Sequence, residues 1–199
     1  MRYPEIFETK DFDAWKEKYL RKELLSMEWD LMLREPFDDV FEVPFFTQEF
    51  CDKMVENLKS IPHDEIEKWG TNMMGVLLED INLKETMQLL VSQYVYSISG
   101  HEWHTYGKKW EEMNIESMIL TMEEGQDLRP HHDFVSISNY IRLDNDSKGG
   151  EIVFTKNVHV LEPIQGNLYM YPGQITHRYG IRRIKEGRRI FLMNYCIGE

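Results

Sequence analysis

A histidine and an aspartate two residues apart, His131 and Asp133, have types and spacing that suggest metal chemistry. They lie in 129-RPHHDFVSISNYIRL-143, a segment that alternates like a strand. Residues two apart in a strand share a face, so both side chains are predicted to point into the core. The outward face is predicted to carry His132, Phe134, Ser136, Ser138, Tyr140 and Arg142. A buried histidine and carboxylate need a partner, either a metal ion or a hydrogen bond between the two.

A third candidate ligand and a cation follow in the order that an Fe(II) oxygenase requires. His177, in 172-PGQITHRYG-180, lies at the end of a later predicted strand, and Arg188 and Arg189 begin the last one. Two histidines and one carboxylate leave metal positions open for a 2-oxo acid and O₂. Arginine binds the distal carboxylate of such a co-substrate through two parallel hydrogen bonds. A hydrolytic zinc site could use the same ligands, but it gives the arginine no role.

The N-terminal half is predicted to be mainly helical, because apolar residues recur there at helical intervals. Helices are predicted over 13–32, 48–61 and 82–98. Thr47 is suited to cap the second helix, and Gly100 to end the third. Between the first two helices, 40-VFEVPFF-46 is predicted as an edge strand because it contains Pro44.

From about Glu116 onward the pattern changes to short runs rich in β-branched and aromatic residues. Strands are predicted over 116–122, 134–143, 151–154, 158–162, 167–171 and 188–197. Many short strands indicate an antiparallel sandwich or barrel, and helices ahead of strands indicate an α+β fold. We therefore expect a single domain over 1–199, helix-rich in 1–115 and β-rich in 116–199.

Composition limits the partners and the compartment. The chain of 199 residues carries a formal net charge of −12, which argues against nucleic acid because phosphate binding needs clustered Lys and Arg. Cys51 and Cys196 are predicted to be buried and unpaired. The N-terminus lacks the apolar core of a signal peptide, and no apolar run is long enough to span a membrane. A soluble protein is expected, cytoplasmic as written or from the endoplasmic reticulum if the sequence is a fragment of a secretory-pathway enzyme.

Four segments carry a resemblance to a known family, namely 128-LRPHHD-133, 149-GGEIVF-154, 172-PGQITH-177 and 187-GRRIFLMNY-195. Together they resemble the catalytic domain of the procollagen lysyl hydroxylases, which are Fe(II)/2-oxoglutarate dioxygenases. The similarity extends back into 15–20 and 40–58, so it covers most of the chain. The motif Leu-Arg-Pro-His-His-Asp is specific to this branch, whereas His-X-Asp alone indicates only the superfamily.

The resemblance implies a double-stranded β-helix, or jelly-roll, core with supporting N-terminal helices. It implies Fe(II) held by His131, Asp133 and His177, and 2-oxoglutarate held by Arg189, with Arg188 as the alternative. The implied reaction decarboxylates 2-oxoglutarate to succinate and hydroxylates a lysine of a collagen-like peptide, with ascorbate keeping the iron reduced. It further implies that the domain can form a homodimer.

One position departs from the family pattern. The family has His-X-His around the distal histidine and uses the second of the two, whereas this chain has 177-HRY-179, with Tyr179 at that place. Either His177 takes over, or metal binding is impaired. If metal binding is impaired, the alternative is a non-catalytic binding or dimerisation domain. A separate alternative keeps the chemistry and is a 2-oxoglutarate oxygenase acting on proline, another protein or a small molecule. The family's glycosyltransferase-like domains are absent from this sequence.

An acidic loop precedes the metal strand and carries Glu123, Glu124 and Asp127. These carboxylates could attract a lysine ammonium from a substrate. The alternative is an ordinary solvated loop.

Overall fold

Two antiparallel sheets packed face to face, with helices covering the outer face of the larger one, form the core of the fold. The computed structural model describes residues 11–58, 64–68, 71–77, 84–98, 113–174 and 176–198. The α-helices are α1 (Phe12–Tyr19), α2 (Gln48–Leu58) and α3 (Lys84–Ile98), and two short 3-10 turns span Lys22–Leu25 and Trp29–Met32. This arrangement is the predicted α+β jelly roll with supporting helices.

The strands of the described residues are numbered in chain order. They are β1 (Arg34–Phe37), β2 (Val40–Pro44), β3 (Asp64–Lys68), β4 (Thr71–Leu77), β5 (Met113–Met122), β6 (Leu128–His131), β7 (Ile137–Arg142), β8 (Lys148–Gly149), β9 (Ile152–Phe154), β10 (His159–Leu161), β11 (Asn167–Pro172), β12 (Tyr179–Ile181), β13 (Ile184–Glu186) and β14 (Arg189–Gly198). The large sheet has the order β1-β2-β11-β7-β14-β5-β4-β3, and the small sheet has the order β10-β9-β12-β6. Strands β8 and β13 form a separate pair.

The large sheet is buried on both faces, so each of its central strands contributes to two cores. One core lies between the helices and the outer face of the large sheet. It includes Met54 and Leu90 from the helices and Ile141 and Leu192 from the strands. The other core fills the space between the sheets and contains Tyr140, Phe191 and Tyr179 among others. This two-sided burial explains why β7 and β11 are buried at every position.

The helical half is less helical than predicted. The predicted helix over 13–32 ends at Tyr19, because the next residues pair with the strand end that follows β2. Leu20 forms a β-bridge with Phe46, and the Arg21 N–H donates to the Phe45 carbonyl at 2.8 Å. Backbone pairing thus overrides the helical periodicity, and Met27, an apolar residue of the predicted helix, is 99% exposed.

The second helix is confirmed in place and in capping. It begins at Gln48, and the Thr47 hydroxyl accepts a hydrogen bond from the Phe50 N–H at 3.3 Å. Helix α3 confirms the third predicted helix over Lys84–Ile98, whereas residues 82 and 83 and Gly100 lie outside the described residues. The segment predicted as an edge strand is interior to the sheet, since β2 pairs with both β1 and β11.

Several strands differ from the prediction. The predicted strand over 134–143 is shorter, and β7 begins only at Ile137. The β3–β4 hairpin was not predicted, because β3 has the polar sequence DEIEK. Cys51 and Cys196 are both buried and unpaired, as predicted. None of the helices in the described part of the chain is long and apolar enough to cross a membrane.

Candidate functional site

The bend between β6 and β7 positions the candidate metal-binding carboxylate. Strand β6 of the small sheet ends at His131, and the chain then crosses to β7 of the large sheet. Phe134 has a φ of 58°, a left-handed conformation that is uncommon for a bulky residue and is typical of functional sites. The Phe134 N–H donates to the Gly173 carbonyl at 3.0 Å, which fixes the bend. The bend directs Asp133 back between the sheets.

Strand alternation does not continue across this bend, which corrects the predicted faces. Ser138, Tyr140 and Arg142 were predicted to point outward, but they are buried and lie on the face of β7 that looks toward the small sheet. His131 and Asp133 do point inward as predicted, with side chains 6% and 2% exposed.

The Asp133 carboxylate is surrounded by three polar side chains. It lies 3.1 Å from Nε2 of His131 and accepts a hydrogen bond of 2.5 Å from the Ser138 hydroxyl. The Tyr179 hydroxyl lies 3.2 Å from one carboxylate oxygen and 3.1 Å from the other. Within the described residues, no lysine or arginine forms an ion pair with Asp133. Of the side chains that the structure describes around this carboxylate, the His131 imidazole is the only basic one.

The contacts of His131 are compatible with a cation at this place. Nδ1 of His131 lies 2.9 Å from the Arg129 carbonyl, which can only accept, so Nδ1 carries a proton. In a neutral imidazole Nε2 then presents a lone pair, and it faces a carboxylate oxygen 3.1 Å away. Two acceptors at this distance need a cation between them, either a proton or a metal ion. The donor set of imidazole nitrogen and carboxylate oxygen suits iron.

Two rows of side chains face each other around Asp133. In the small sheet, Tyr179 is the register partner of both His131 and Phe154. In the large sheet, Ser138 is the register partner of both Tyr171 and Tyr195. Directly opposite residues of paired strands share a face. The two rows therefore enclose the carboxylate with three tyrosines.

These tyrosines remain protonated beside the carboxylate. Burial first, and then the negative charge of Asp133, raise the pKa of Tyr171, Tyr179 and Tyr195 well above the ordinary value. The Tyr171 hydroxyl is buried and has no partner with hydrogen-bond geometry among the described residues, although Tyr179 lies near enough to affect its pKa. A buried hydroxyl without a partner is costly. It marks a place where a bound group would be stabilised.

The structure does not bring His177 together with His131 and Asp133. His177 lies in the turn between β11 and β12, where its Nε2 is 2.9 Å from the Asp38 carbonyl and its Nδ1 is 2.9 Å from the Thr176 hydroxyl. Partial burial lowers its pKa. Among the described residues, no three histidine, cysteine, aspartate or glutamate side chains converge as a metal-binding group. The side chain that does reach Asp133 from this segment is Tyr179.

The two candidate arginines lie in different environments. Arg189 is completely buried, and its side chain points between the sheets with Phe191 and Tyr195 on the same face of β14. Arg188 is exposed and forms an ion pair of 2.6 Å with Glu123. Only Arg189 is therefore placed to meet a ligand inside the jelly roll.

Arg189 belongs to a buried polar network that the sequence did not predict. Its Nε donates to the Ser147 hydroxyl at 2.9 Å, and one terminal nitrogen donates to the Gly149 carbonyl at 2.7 Å. The other terminal nitrogen makes only long contacts, 3.5 Å to the Tyr140 hydroxyl and 3.4 Å to the Gly150 carbonyl. That nitrogen is the one that an incoming carboxylate could engage.

The same network carries an excess of positive charge. Asp144 lies 3.0 Å from Arg142 and 3.4 Å from Arg189, so two guanidinium groups share one carboxylate as their counter-ion. All three side chains are nearly inaccessible to solvent. A buried group of two cations and one anion is favourable for an anionic ligand. Periodicity alone cannot reveal such a network, because its members come from β7, from the loop that follows β7 and from β14.

A cleft adjoins the tyrosine cluster on the side of His177. Its lining includes Phe37, Asp38, Asp39, Phe154, Lys156 and His177. Phe154 connects the two places, since its ring centroid lies 6.0 Å from that of His177 and 6.2 Å from that of Tyr179. The His159 ring stacks on Phe37 with centroids 4.2 Å apart. The cleft thus combines aromatic walls with two carboxylates at its rim.

Comparison with known proteins relates both the sequence and the fold to oxygenases. A family model described as the OGFOD2-like domain matches residues 2–108. Procollagen-lysine,2-oxoglutarate 5-dioxygenase 2 of Homo sapiens is 25% identical over 205 residues, which cover 91% of this chain and 26% of that protein. The multifunctional procollagen lysine hydroxylase and glycosyltransferase LH3 of Rattus norvegicus is 23% identical over 210 residues, which cover 97% of this chain and 28% of that protein. The chain spans about a quarter of the length of these relatives.

Solved structures share the fold. An oxidoreductase of the 2OG-Fe(II) oxygenase family from Burkholderia pseudomallei superposes with a TM-score of 0.62 at 15% identity, covering 80% of this chain and 85% of that one. A viral collagen prolyl hydroxylase from Paramecium Bursaria Chlorella virus-1, in its 2OG complex, gives a TM-score of 0.58 at 12% identity, covering 81% and 97% of the two chains. At these identities the likeness establishes the jelly-roll architecture.

Proposed function

Because the chain belongs to the family of OGFOD2-like domains, we propose that it is an Fe(II)- and 2-oxoglutarate-dependent dioxygenase that hydroxylates a peptidyl lysine. The observation that carries this proposal is the buried pair of His131 and Asp133, whose facing nitrogen and oxygen atoms lie 3.1 Å apart and can share a metal ion. The similarity to procollagen lysyl hydroxylases over nine-tenths of the chain supports the choice of reaction.

In the proposed reaction, O₂ is divided between two products. One oxygen atom enters a C–H bond of the lysine side chain, and the other enters succinate as 2-oxoglutarate loses CO₂. Bound Fe(II) would supply the activation of O₂, with His131 and Asp133 as two of its ligands. The protein's own contribution is to fix these two groups, through the Arg129 carbonyl on Nδ1 of His131 and the Ser138 hydroxyl on Asp133.

Arg189 would bind the distal carboxylate of 2-oxoglutarate. Ser138, which contacts Asp133, and Tyr140, which contacts Arg189, are two residues apart on one face of β7. Two residues of a strand span roughly 7 Å, a length that a five-carbon dicarboxylate can bridge. The excess positive charge around Asp144 also favours a dianionic co-substrate at this place.

The cleft next to the tyrosine cluster supports lysine as the substrate residue. Asp38 and Asp39 at its rim can attract an ammonium group, and Phe37 and Phe154 can pack against the methylene chain. Lys156 is the opposing charge in the lining, so the carboxylates outnumber it. A proline side chain is uncharged, so this negative charge would not attract it.

Anaerobic titration with Fe(II) and 2-oxoglutarate, followed by O₂ and a peptide panel, tests the proposal. We expect a weak visible absorption band of the iron chelate, then succinate formation that a Lys-containing collagen-like peptide stimulates, with one oxygen atom gained on lysine. The gain of oxygen on proline would reject lysine as the substrate while retaining the dioxygenase. The absence of both iron binding and succinate would reject the dioxygenase.

Matched variants test whether the cleft or the acidic loop that precedes β6 attracts the substrate lysine. The double variant Asp38→Asn/Asp39→Asn removes both charges, and asparagine tolerates the left-handed conformation of Asp39, whose φ is 60°. We expect it to raise KM for the Lys peptide at least about fivefold, in the range of lost charge pairing, without a change in KM for 2-oxoglutarate. The control Glu123→Gln/Glu124→Gln removes two charges of the acidic loop. A larger effect of the control would assign substrate attraction to that loop.

The domain organisation, the reductant and the assembly are also proposed, from the resemblance to the lysyl hydroxylases and from the pairing within the large sheet. The chain is proposed to act as one domain, because β1–β4 of its first half join the same sheet as β5, β7, β11 and β14. Ascorbate is proposed to keep the iron reduced. A homodimer is proposed as the assembly, and light scattering of the purified protein measures its mass directly.

A further inference from the structure

We infer that Tyr179, and not His177, supplies the third protein ligand of the metal, so that the site is built from one imidazole, one carboxylate and one phenolate. The inference rests on the proposed function in that a metal lies at His131 and Asp133. It goes beyond that function by changing the chemistry of the donor set. The metal would be bound by two negatively charged oxygen ligands.

Register places Tyr179 at the third position. Tyr179 is the direct partner of His131 across the β12–β6 ladder, and the two ring centroids lie 4.8 Å apart. Its hydroxyl lies 3.1 and 3.2 Å from the two Asp133 oxygens. A phenol in this position occupies the place from which a third ligand would reach the cation.

His177 is prevented from reaching the same place by its own contacts. It precedes β12 by two residues and lies in the turn, where both ring nitrogens have partners. Moving it to Asp133 would break the contact with the Asp38 carbonyl and would displace the Tyr179 ring, which is packed against Phe154 and Tyr171. Tyr179 needs no such movement, because its hydroxyl is already there.

Binding of the metal by Tyr179 conserves atoms and charge. On binding, the Tyr179 phenol would lose its O–H proton to water and its oxygen would bond to the metal, with no change in the oxidation state of the metal. The hydrogen bond that the phenol now gives to Asp133 is replaced by their shared coordination of the cation. The charges of one carboxylate and one phenolate then neutralise a divalent ion, which offsets the cost of burying it.

A phenolate ligand has a spectroscopic signature that a structural tyrosine lacks. The full chain is loaded with Fe(II) without oxygen and then oxidised with ferricyanide, and its visible absorption and resonance Raman spectra are recorded. We expect a phenolate-to-iron charge-transfer band and tyrosine ring vibrations in the wild type. Tyr179→Phe should lose both, and Tyr171→Phe, which removes a neighbouring buried hydroxyl, should keep both.

Metal affinity gives a second readout that is independent of turnover. Tyr179→Phe should weaken Fe(II) binding by at least about tenfold, whereas His177→Gln should change it less than about twofold. Tyr179→His should restore binding without the charge-transfer band. This third variant keeps the test decisive if Tyr179→Phe fails to fold.

The outcomes separate the inference from the proposed function. Loss of Fe(II) binding in His177→Gln, with Tyr179→Phe unaffected, would overturn the inference and leave the dioxygenase intact. A charge-transfer band that disappears in Tyr171→Phe and persists in Tyr179→Phe would identify Tyr171 as the ligand. That result would also overturn the inference. A wild-type protein that binds no iron would overturn both.

Discussion

Gly150 lies against the guanidinium of Arg189 so closely that a Cβ at Gly150 would be 3.1 Å from the Arg189 Cζ. The same Cβ would be 2.7 Å from the Cδ1 of Ile184, and Gly150 has a φ of 73°. Glycine is therefore required here for two reasons, its left-handed backbone and the space that the arginine occupies. This contact gives a physical reason for the second glycine of the 149-GGEIVF-154 motif.

We expect Gly150→Ala to lower the free energy of unfolding by about 2–4 kcal/mol, from overpacking and backbone strain together. The displaced guanidinium should also weaken binding of 2-oxoglutarate. Gly125→Ala is the matched control, because Gly125 has a φ of 87° and no atom within 4 Å of a Cβ. It should show the backbone cost alone, without an effect on 2-oxoglutarate. Equal losses in the two variants would contradict the packing argument.

Arg189→Ala should chiefly weaken 2-oxoglutarate, by on the order of 2–5 kcal/mol of binding free energy for a lost buried charge contact. Its removal also takes one of two cations from Asp144, so Arg189→Lys, which keeps the charge and loses the planar fork, is the variant to use if the alanine fails to fold. Calorimetric titration with 2-oxoglutarate measures the effect.

Arg188→Ala is the control for that experiment. Arg188 is exposed in its pair with Glu123, and such pairs contribute about 0–1 kcal/mol. If Arg188→Ala weakened 2-oxoglutarate and Arg189→Lys did not, the co-substrate would bind outside the space between the sheets.

Asp133→Asn should abolish metal binding but change the stability of the metal-free protein little. We expect Fe(II) binding to disappear and turnover to fall more than about 100-fold, since even supporting residues of metal sites cost 10–100-fold. The metal-free protein should lose at most about 1 kcal/mol of stability or gain some, because the amide does not bury a negative charge. Thermal unfolding with and without Fe(II) measures both effects. Asp127→Asn, at an exposed carboxylate, should change neither.

The two cysteines should be unreactive in the folded protein. Burial raises the pKa of Cys51 and of Cys196 to about 12, and the thiolate is the reactive form. At pH 8 a thiol reagent should therefore label neither until the protein unfolds, and should then label both. Rapid labelling of the native protein would show that one of these positions opens to solvent. Titration of the denatured protein in the absence of reductant excludes a disulfide if it yields two thiols.

Local alternation predicted an antiparallel sandwich or barrel and the inward direction of His131 and Asp133. The resemblance to the lysyl hydroxylases specified the jelly roll. The errors of the sequence-based predictions lie where distant segments meet. Strand alternation could not be continued through the bend at Phe134, so Ser138 and Tyr140 were assigned to the wrong face. Periodicity over 13–32 could not show that Leu20 pairs with Phe46.

The surroundings of the site could not be predicted for the same reason. Tyr171 and Tyr195 face Asp133 only because β11, β7 and β14 are adjacent with a particular register, which one chain does not specify. Tyr179 was recognised as a departure from the family pattern, but its contact with Asp133 follows from the pairing of β12 with β6. The Arg142–Asp144–Arg189 network likewise depends on contacts between segments far apart in sequence.

The position of β14 has a consequence for how the protein folds. This strand lies between β5 and β7; it is paired with β5 along its whole length and with β7 over Phe191–Cys196. The centre of the large sheet is therefore closed by a segment that is synthesised after both of its neighbours. Until it arrives, β5 and β7 present unpaired edges, which are templates for association with other chains. Slow, non-local sheet closure and a dependence on chaperones during synthesis are the expected kinetic results.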